Sequence, residues 1–389
     1  MKALRVAVAA VAAWLWLVPD AAGQQFLWNA DFDFRFDNRE YDVMATARSE
    51  TIFGVRLTPE VGLGWGRGNA VMVGLDLFSD FGTTTDISRQ MIVYYRYRDD
   101  RFDVHFGRFP RRHLMGDYEK AFFSDWIDFY DSNIDGLMAN WRGRHGYVEL
   151  AFDWNGKIGA GQREKFMIFS SGRLNYGAFY GGYNANMYHY SCSLEEPGVV
   201  DNILIYPFAG ADFRTVLPAF SKLFLQVGWL QSFQRDRLYV GRFVNPGGMQ
   251  IELGIERWGF GIDNTLYLGS GLMPYYDSVV EGQPAYGAEL YPGELFYRTT
   301  AGVYNRLEIY WRHCFPSGVA FKVASVHHYD GHGWGWQQRI ELQVPFRTRC
   351  SASTPGRRTK RPVRQPTDPG QKPPAAPNSP LLRPGGGSL

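Results

Sequence analysis

Apolar and polar residues alternate one by one along most of this chain of 389 residues. The segment Gln338–Phe346 shows the pattern without a break, and its two faces are Ile340, Leu342, Val344 and Phe346 against Arg339, Glu341 and Gln343. A period of two predicts β-strands, whose side chains point alternately to the two sides. One side of each strand can contact lipid while the other carries charge. The pattern therefore indicates strands that cross a membrane.

About sixteen such strands are predicted, and counts of fourteen or eighteen stay open. The first is Phe26–Asp37, the fourteenth is Tyr297–Arg312 and the last is Trp334–Phe346. Pro59 interrupts the second strand, Glu50–Gly66, and a proline lacks the N–H that a ladder hydrogen bond needs. We therefore expect a bulge at Pro59.

The connections between the predicted strands alternate in length. Links after even strands are short, whereas most links after odd strands are longer, and the longest are Arg111–Asn133 and Gly269–Phe296. Transmembrane barrels have this asymmetry, with tight periplasmic turns and long external loops. Lipid offers no hydrogen-bond partner to a free strand edge, so the sheet must close on itself. The expected fold class is all-β, a closed antiparallel transmembrane β-barrel.

The two ends of the chain differ in character from the barrel. Lys2 and Arg5 precede the apolar run Val6–Val18, and small residues stand before Gln24, which together predict a secretory signal peptide. After Phe346, nine of the 21 prolines gather with glycine, serine and basic residues. We expect a signal peptide over 1–23, the barrel over 24–346 and a disordered Pro/Arg-rich tail over 347–389.

The predicted barrel and the tail differ in net charge. The chain carries a net charge of +2, to which the tail contributes +8 and the signal peptide +1, so the segment 24–346 carries about −7. An acidic barrel gives no reason to expect nucleic acid as a partner. Tyrosine, phenylalanine and tryptophan occur 23, 28 and 12 times, which suits the aromatic girdles that flank a lipid-facing band.

The final strand, with the sequence RIELQVPF, resembles the C-terminal signal that the barrel-assembly machinery of Gram-negative bacteria reads. At the level of pattern, Met1–Phe346 resembles porin-like outer-membrane barrels. The resemblance implies an outer-membrane location with both termini in the periplasm. It also implies contacts with outer-membrane lipids, and contacts with the assembly machinery through the final strand that ends at Phe346. A homotrimer is one of the assembly states that it allows. We expect no cofactor.

The function that this resemblance implies is passive diffusion of small hydrophilic solutes or ions through a channel. The alternative is a non-conducting surface barrel, either an adhesin or a structural component of an outer-membrane complex. In a non-conducting barrel, ion pairs would fill the lumen. A barrel of sixteen strands is, however, wide enough to leave an aqueous channel, which favours the channel function.

The expected functional residues are charged side chains of the lumen and of Arg111–Asn133, where a basic cluster precedes an acidic one. Two interpretations stay open: the loop folds into the pore as a constriction, where opposed charges set ion preference, or it is charged because it is solvated. The pore-lining and constriction candidates are Arg108, Arg111, Arg112, Lys120, Asp125, Asp128, Asp131, Arg56, Arg96, Arg98, Glu149, Asp153 and Glu252.

Histidines give weaker indications of other chemistry. His327, His328 and His332 lie close to Asp330 in the sequence. Imidazole and carboxylate groups are ligands of transition metals, so these residues are candidates for a metal site. Consecutive residues of a strand point to opposite faces, however, so an ordinary polar hairpin tip is favoured. We expect no metal site.

Some outer-membrane barrels are lipases, and that chemistry needs a Ser–His pair on the lipid-facing side with an orienting polar residue. His189 and Ser191 share parity, but no acidic or amide residue of the sequence is marked as their partner. We therefore expect that the chain is not an enzyme.

The loop Gly269–Phe296 concentrates aromatic and acidic residues. Two interpretations are open: the aromatic faces and carboxylates bind sugars, or the aromatic side chains pack the loop onto the rim of the barrel. Packing is favoured. The tyrosines of this region are Tyr275, Tyr276, Tyr286, Tyr291 and Tyr297.

Overall fold

The computed structural model describes residues 24–41, 49–83 and 87–347, so the predicted signal peptide and the tail beyond Arg347 lie outside the described residues. Sixteen strands, β1–β16, form one closed barrel in which each strand pairs with the next and β16 pairs with β1. All of these pairings are antiparallel, as in β1 with β2 and with β16. The expected closed antiparallel barrel of about sixteen strands is confirmed.

The strands are β1 (Gln24–Glu40), β2 (Glu50–Trp65), β3 (Asn69–Asp80), β4 (Ser88–Arg98), β5 (Phe102–Pro110), β6 (Asn133–Arg142), β7 (Gly146–Gly156), β8 (Lys165–Tyr176), β9 (Phe179–Tyr190), β10 (Val200–Asp212), β11 (Lys222–Asp236), β12 (Gly247–Arg257), β13 (Phe260–Gly269), β14 (Val303–Cys314), β15 (Ala320–Tyr329) and β16 (Trp334–Arg347).

Each strand turns one row of side chains outward and one row inward. In β1 the outward Phe26 and Trp28 are 48% and 43% exposed, whereas the inward Arg35 and Asp37 are buried. The outward rows are mostly apolar, because a lysine or arginine that faces lipid at mid-membrane costs about 2–4 kcal/mol. The charged residues therefore fill the lumen, as the alternation in the sequence predicts.

The two ends of the barrel differ, and we call them the short-turn end and the long-loop end. Gln24 and Arg347 both lie at the short-turn end, where the even strands are joined to the next strand. The long-loop end carries the loops 111–132 and 270–302. These loops contain the two α-helices of the described residues, α1 (Asp125–Tyr130) and α2 (Gly287–Leu290). None of the helices in the described part of the chain is long and apolar enough to cross a membrane.

Ser124 is the N-cap residue of helix α1. The backbone N–H of Ile127 donates to the Ser124 hydroxyl at 3.3 Å, which satisfies one of the free amides of the first turn. Single turns of 3-10 helix lie at Arg111–His113, Phe213–Thr215 and Leu295–Arg298.

Two local expectations are wrong. The fourteenth strand begins at Val303 rather than at Tyr297, because the preceding loop folds into the lumen and buries Tyr297 in a 3-10 turn. At Pro59 the pairing of β2 with β1 continues without a shift of register, with Ala30 as its partner. Because proline has no N–H to donate, the β2–β3 ladder omits the pairs at Thr58 and Pro59 and keeps the same register on both sides.

Candidate functional site

The loop 111–132 lies inside the barrel and contacts inward side chains of the wall. Arg35 Nη1 on β1 donates to the carbonyl oxygen of Asp125 at 3.0 Å, and Arg56 on β2 donates to the carbonyl oxygen of Phe129. Arg111 Nη2 of the loop lies 2.8 Å from Asp153 Oδ2 on β7. Because β1 and β2 are separated from β7 around the wall, the loop extends across the lumen between them.

Asp125 is the centre of the ion pairs in the lumen. Its carboxylate lies 2.7 Å from Lys120 Nζ, 2.7 Å from Arg339 Nη1 and 3.8 Å from Arg306 Nη2. Burial alone would raise the pKa of Asp125, but the charges of Lys120, Arg339 and Arg306 hold this pKa well below its usual range. The carboxylate is therefore ionised, and it ties α1 to β14 and β16.

The loop 270–302 joins the loop 111–132 inside the barrel. The Ser124 N–H donates to the carbonyl oxygen of Pro292, and the Glu294 N–H donates to that of Lys120, each at 2.8 Å. The Asp125 N–H also donates to Glu294 Oε1 at 2.8 Å. Burial, and then the nearby negative charge of Asp125, raises the pKa of Glu294. The two loops therefore form one hydrogen-bonded unit.

The tyrosines of the loop 270–302 mostly pack inside the barrel. Tyr291 and Tyr297 donate from their hydroxyls to Gln234 Oε1 and Gln250 Oε1, each at 2.6 Å. Four of these tyrosines are at most 5% exposed: Tyr275, Tyr286, Tyr291 and Tyr297. These tyrosines therefore pack against the barrel, as the favoured interpretation expects, but they do so inside the lumen and not on the rim.

A cavity of about 370 Å³ remains between the loop 111–132 and the wall. Its lining contains almost equal numbers of basic and acidic side chains, and five of these belong to the ion pairs described above: Arg111, Lys120, Asp125, Arg306 and Arg339. Seven of the candidates that the sequence predicts line this cavity: Arg56, Arg111, Arg112, Lys120, Asp125, Asp128 and Glu252.

Other candidates anchor the loop to the wall or lie on the wall itself. Arg111 pairs with Asp131 at 2.9 Å as well as with Asp153, and Glu149 accepts a hydrogen bond from the Tyr118 hydroxyl at 2.9 Å. Arg98 pairs with the buried Asp103 at 2.5 Å towards the short-turn end. Arg96 lies two residues before Arg98 on the same inward row of β4.

Arg108 is an exception, since the structure places it on the outer face of the barrel. Its cross-strand neighbours Val93 and Asp135 belong to the outward rows of β4 and β6. The side chains of Arg108 and Asp135 are 39% and 36% exposed and form an ion pair. The prediction that Arg108 lines the pore is wrong, because the inward row of β5 is the odd one that contains Asp103 and His105.

The histidines of the last hairpin point in different directions. His328 is buried in the lumen with Nδ1 2.9 Å from the Tyr304 hydroxyl, whereas His327 is on the outward row. His332 Nε2 lies 2.9 Å from Thr300 Oγ1 in the loops. Among the described residues, no group of three or more histidine, cysteine, aspartate or glutamate side chains is placed to hold a metal ion.

A serine and a histidine meet on the lipid-facing side of the barrel. Ser325 and His327 lie two residues apart on β15, so both point outward, and Ser325 Oγ is 3.0 Å from His327 Nε2. A hydroxyl within hydrogen-bond reach of an imidazole is the arrangement that activates a nucleophile. The pair lies in the half of β15 nearest to the long-loop end. Within residues 24–41, 49–83 and 87–347, no carboxylate hydrogen-bonds to this imidazole.

Sequence reasoning missed this pair and considered His189 with Ser191 instead. His189 stacks on Phe166 with ring centroids 4.7 Å apart, and the Ser191 hydroxyl contacts Cys192 Sγ at 3.7 Å. The described contacts include no hydrogen bond between His189 and Ser191. The available signal was Ser-x-His inside a strand, a spacing that places both side chains on one face but is common by chance.

Comparison with known proteins supports the fold and identifies a family. The structure is similar to that of OccK11 (OpdR) of Pseudomonas aeruginosa, with a TM-score of 0.50 and 10% identity over 83% of this chain and 96% of that one. At this identity the likeness concerns the fold alone, and it confirms a closed β-barrel of the porin type.

Two further solved structures of outer-membrane proteins are similar at lower scores. The loop L8 deletion mutant of OmpT from Vibrio cholerae has a TM-score of 0.49 and 7% identity over 83% of this chain and all of that one. OprD of P. aeruginosa has a TM-score of 0.46 and 10% identity over 85% of this chain and 96% of that one.

No curated protein matches the chain. One family model matches residues 19–329, and its description is Lipid A 3'-O-deacylase-type. Because this match includes more than three quarters of the sequence, the chain belongs to the lipid A 3'-O-deacylase-type family.

Proposed function

We propose that this protein hydrolyses an acyl ester of a lipid in the outer leaflet and that Ser325 and His327 carry out the reaction. The observation that carries the proposal is their 3.0 Å contact on the face that meets lipid. The name of the family, which refers to deacylation of lipid A at the 3'-O position, supports the same chemistry and makes lipid A the first substrate to test. Long loops of outer-membrane barrels face the cell exterior, and that orientation would place the pair in the outer leaflet.

The proposed reaction needs an activated hydroxyl and a site for its proton. His327 Nε2 accepts the proton of Ser325 Oγ as this oxygen attacks the carbonyl carbon of the ester. The bond from that carbon to the alcohol oxygen of the lipid then breaks, and the imidazolium gives its proton to the departing oxygen. Water attacks the resulting acyl-serine with His327 again taking a proton, and the fatty acid leaves as Ser325 recovers its hydroxyl.

Gln338 is suited to stabilise the negative charge that develops on the carbonyl oxygen. It is the direct cross-strand neighbour of Ser325 on β16. Its Oε1 accepts a hydrogen bond from Asn38 Nδ2 at 2.8 Å, which restrains the amide plane and leaves Nε2 as the donor. Loss of one such oxyanion donor lowers the rate constant by about 10²–10³-fold in enzymes of known mechanism.

The proposal is tested by incubating the full chain, refolded in detergent micelles, with lipid A and measuring released fatty acid by mass spectrometry. We expect release by the unsubstituted protein and none by Ser325→Ala. The matched control is Ser170→Ala, because Ser170 is an outward serine on β8 that bonds to Tyr183 rather than to a histidine. Release that persists in Ser325→Ala, or is absent from all three proteins, would overturn the proposal.

A second candidate function is a narrow channel for small hydrophilic solutes or ions. It is favoured by the cavity of about 370 Å³ and by the charged loop beside it. In this function Arg111 and Arg112 would form the basic side of a constriction, opposite acidic residues such as Asp128. The paired charges and the joined loops favour instead a lumen that is closed at rest, which is compatible with lipid hydrolysis on the outside of the barrel.

Single-channel recording in planar bilayers separates these possibilities. Stepwise openings would support the channel, and a folded protein without openings would support the closed barrel. If openings occur, the double substitution Arg111→Glu with Arg112→Glu should shift the reversal potential towards cation preference, because rings of charge at a narrow point select ions. An unchanged reversal potential would remove the role of these two arginines.

A further inference from the structure

A row of four polar side chains crosses four neighbouring strands on the outer face of the barrel. Ser325 pairs with Gln338, Gln338 with Asn38, and Asn38 with Thr51, so the row runs over β15, β16, β1 and β2. Three inter-strand spacings of about 4.8 Å make it roughly 14 Å long. We call the part formed by Gln338, Asn38 and Thr51 the polar ledge.

The polar ledge lies on the long-loop side of apolar outward residues. Trp336, one outward position beyond Gln338, is 41% exposed. On the other side of the ledge, Phe53 and Val323 are 41% and 40% exposed. Lipid ester and amide groups lie where the acyl chains meet the head groups, and we expect the ledge to face this region because the aliphatic outward residues of these strands lie only on one side of it.

Hydrogen bonds inside the polar ledge use up most of its donors. Thr51 Oγ1 donates to Asn38 Oδ1 at 3.0 Å, and Asn38 Nδ2 donates both to Gln338 Oε1 at 2.8 Å and to Glu40 Oε1 at 2.9 Å. Each of these oxygens keeps a second lone pair, since carbonyl and hydroxyl oxygens carry two. Among the contacts of the described residues, only Gln338 Nε2 remains as a donor. The ledge therefore presents more acceptors than donors.

Such a surface matches a lipid that brings hydrogen-bond donors into the interfacial region. A glycerophospholipid offers only ester oxygens there, so it cannot satisfy the acceptors of the ledge. A lipid with an amide N–H or a hydroxyl beside its acyl carbonyls can. The carboxylate of Glu40 on the solvent side of Asn38 disfavours a phosphate at this point, which leaves the neutral donors as the groups that the ledge recognises.

We infer that the polar ledge binds the amide or hydroxyl group of an outer-leaflet lipid and thereby places a neighbouring ester at Ser325. This inference rests on the proposed function in its last step, because Ser325 is where the ester would react. The binding step stands apart from hydrolysis and has its own measurement.

The test uses the full chain with Ser325→Ala as parent, so that bound lipid is not consumed. Native mass spectrometry in detergent micelles measures the binding of lipid A, of a ceramide and of phosphatidylcholine, which has no hydrogen-bond donor. Into this parent we introduce Asn38→Leu with Thr51→Val. The matched control carries Ser170→Ala with Tyr183→Phe, which removes an outward pair of hydroxyls that contact at 3.0 Å on β8 and β9.

We expect the parent and the control to bind lipid A and ceramide at least about tenfold more tightly than phosphatidylcholine, and the ledge variant to lose this preference. Equal binding of all three lipids by the parent would overturn the inference, as would an unchanged preference in the ledge variant. A change from dimer to monomer in the ledge variant, with lipid preference retained, would show that a second copy covers this face. Absent hydrolysis with a preserved lipid preference would refute the proposed function alone.

Discussion

The ion pairs of Asp125 predict a large loss of stability when its charge is removed. Asp125→Asn keeps the side-chain volume but leaves Lys120, Arg339 and Arg306 without a shared carboxylate. Breaking a buried ion pair by removing one partner costs about 3–5 kcal/mol. Arg339 and Arg306 keep Glu308 at 3.0 and 2.7 Å, so we expect the lower end, about 3 kcal/mol.

The matched control is Asp128→Asn on the same helix. The side chain of Asp128 is 36% exposed and has Lys120 as its ion-pair partner at 2.9 Å, so the change should cost no more than about 1 kcal/mol. Equilibrium unfolding in urea, followed by the fluorescence of the tryptophans in detergent micelles, measures both free energies. If the two variants lost equal stability, Asp125 would not hold the loop as the contacts indicate.

Three further predictions concern the reaction, the lumen and the orientation. His327→Gln should lower fatty acid release by about 10²–10⁴-fold, as loss of a general base does; unchanged release would remove the base from the mechanism. Asp125→Asn should raise single-channel conductance relative to Asp128→Asn, because the loop is freed from β14 and β16; equal conductance would contradict a loop latched by this residue. Cys314 is exposed at the short-turn end. With Cys192 and Cys350 replaced by serine, it should react with a membrane-impermeant maleimide only after the outer membrane is permeabilised, and labelling of intact cells would reverse the proposed orientation.

The barrel could be predicted because the pattern that specifies it, the alternation of apolar and polar residues, lies within each strand. Alternation within a strand such as Trp334–Arg347 shows which side chains meet lipid, and lipid then requires the sheet to close. The expected bulge at Pro59 failed for a related reason: the missing N–H affects the ladder to β3 and not the one to β1. The sequence alone does not show towards which neighbouring strand the backbone nitrogen of a proline points.

The site was less predictable because its contacts join distant parts of the chain. Asp125 meets Arg339, which lies 214 positions away, and no local pattern predicts that pair. Arg108 was misplaced because it stands at the end of β5, where charge is equally compatible with the lumen and with the outer rim. Ser325 and His327 were close in sequence, but only their 3.0 Å contact on the lipid-facing side separates them from other pairs of the same spacing.

The reactivity of Ser325 can be measured directly by labelling the folded protein with an alkyl fluorophosphonate, which reacts with a serine hydroxyl that a neighbouring base activates. We expect one adduct per chain, located by peptide mass spectrometry at Ser325, and its loss in His327→Ala. An unlabelled Ser325, or an adduct on another residue that survives His327→Ala, would contradict the claim that this outward pair is the reactive centre.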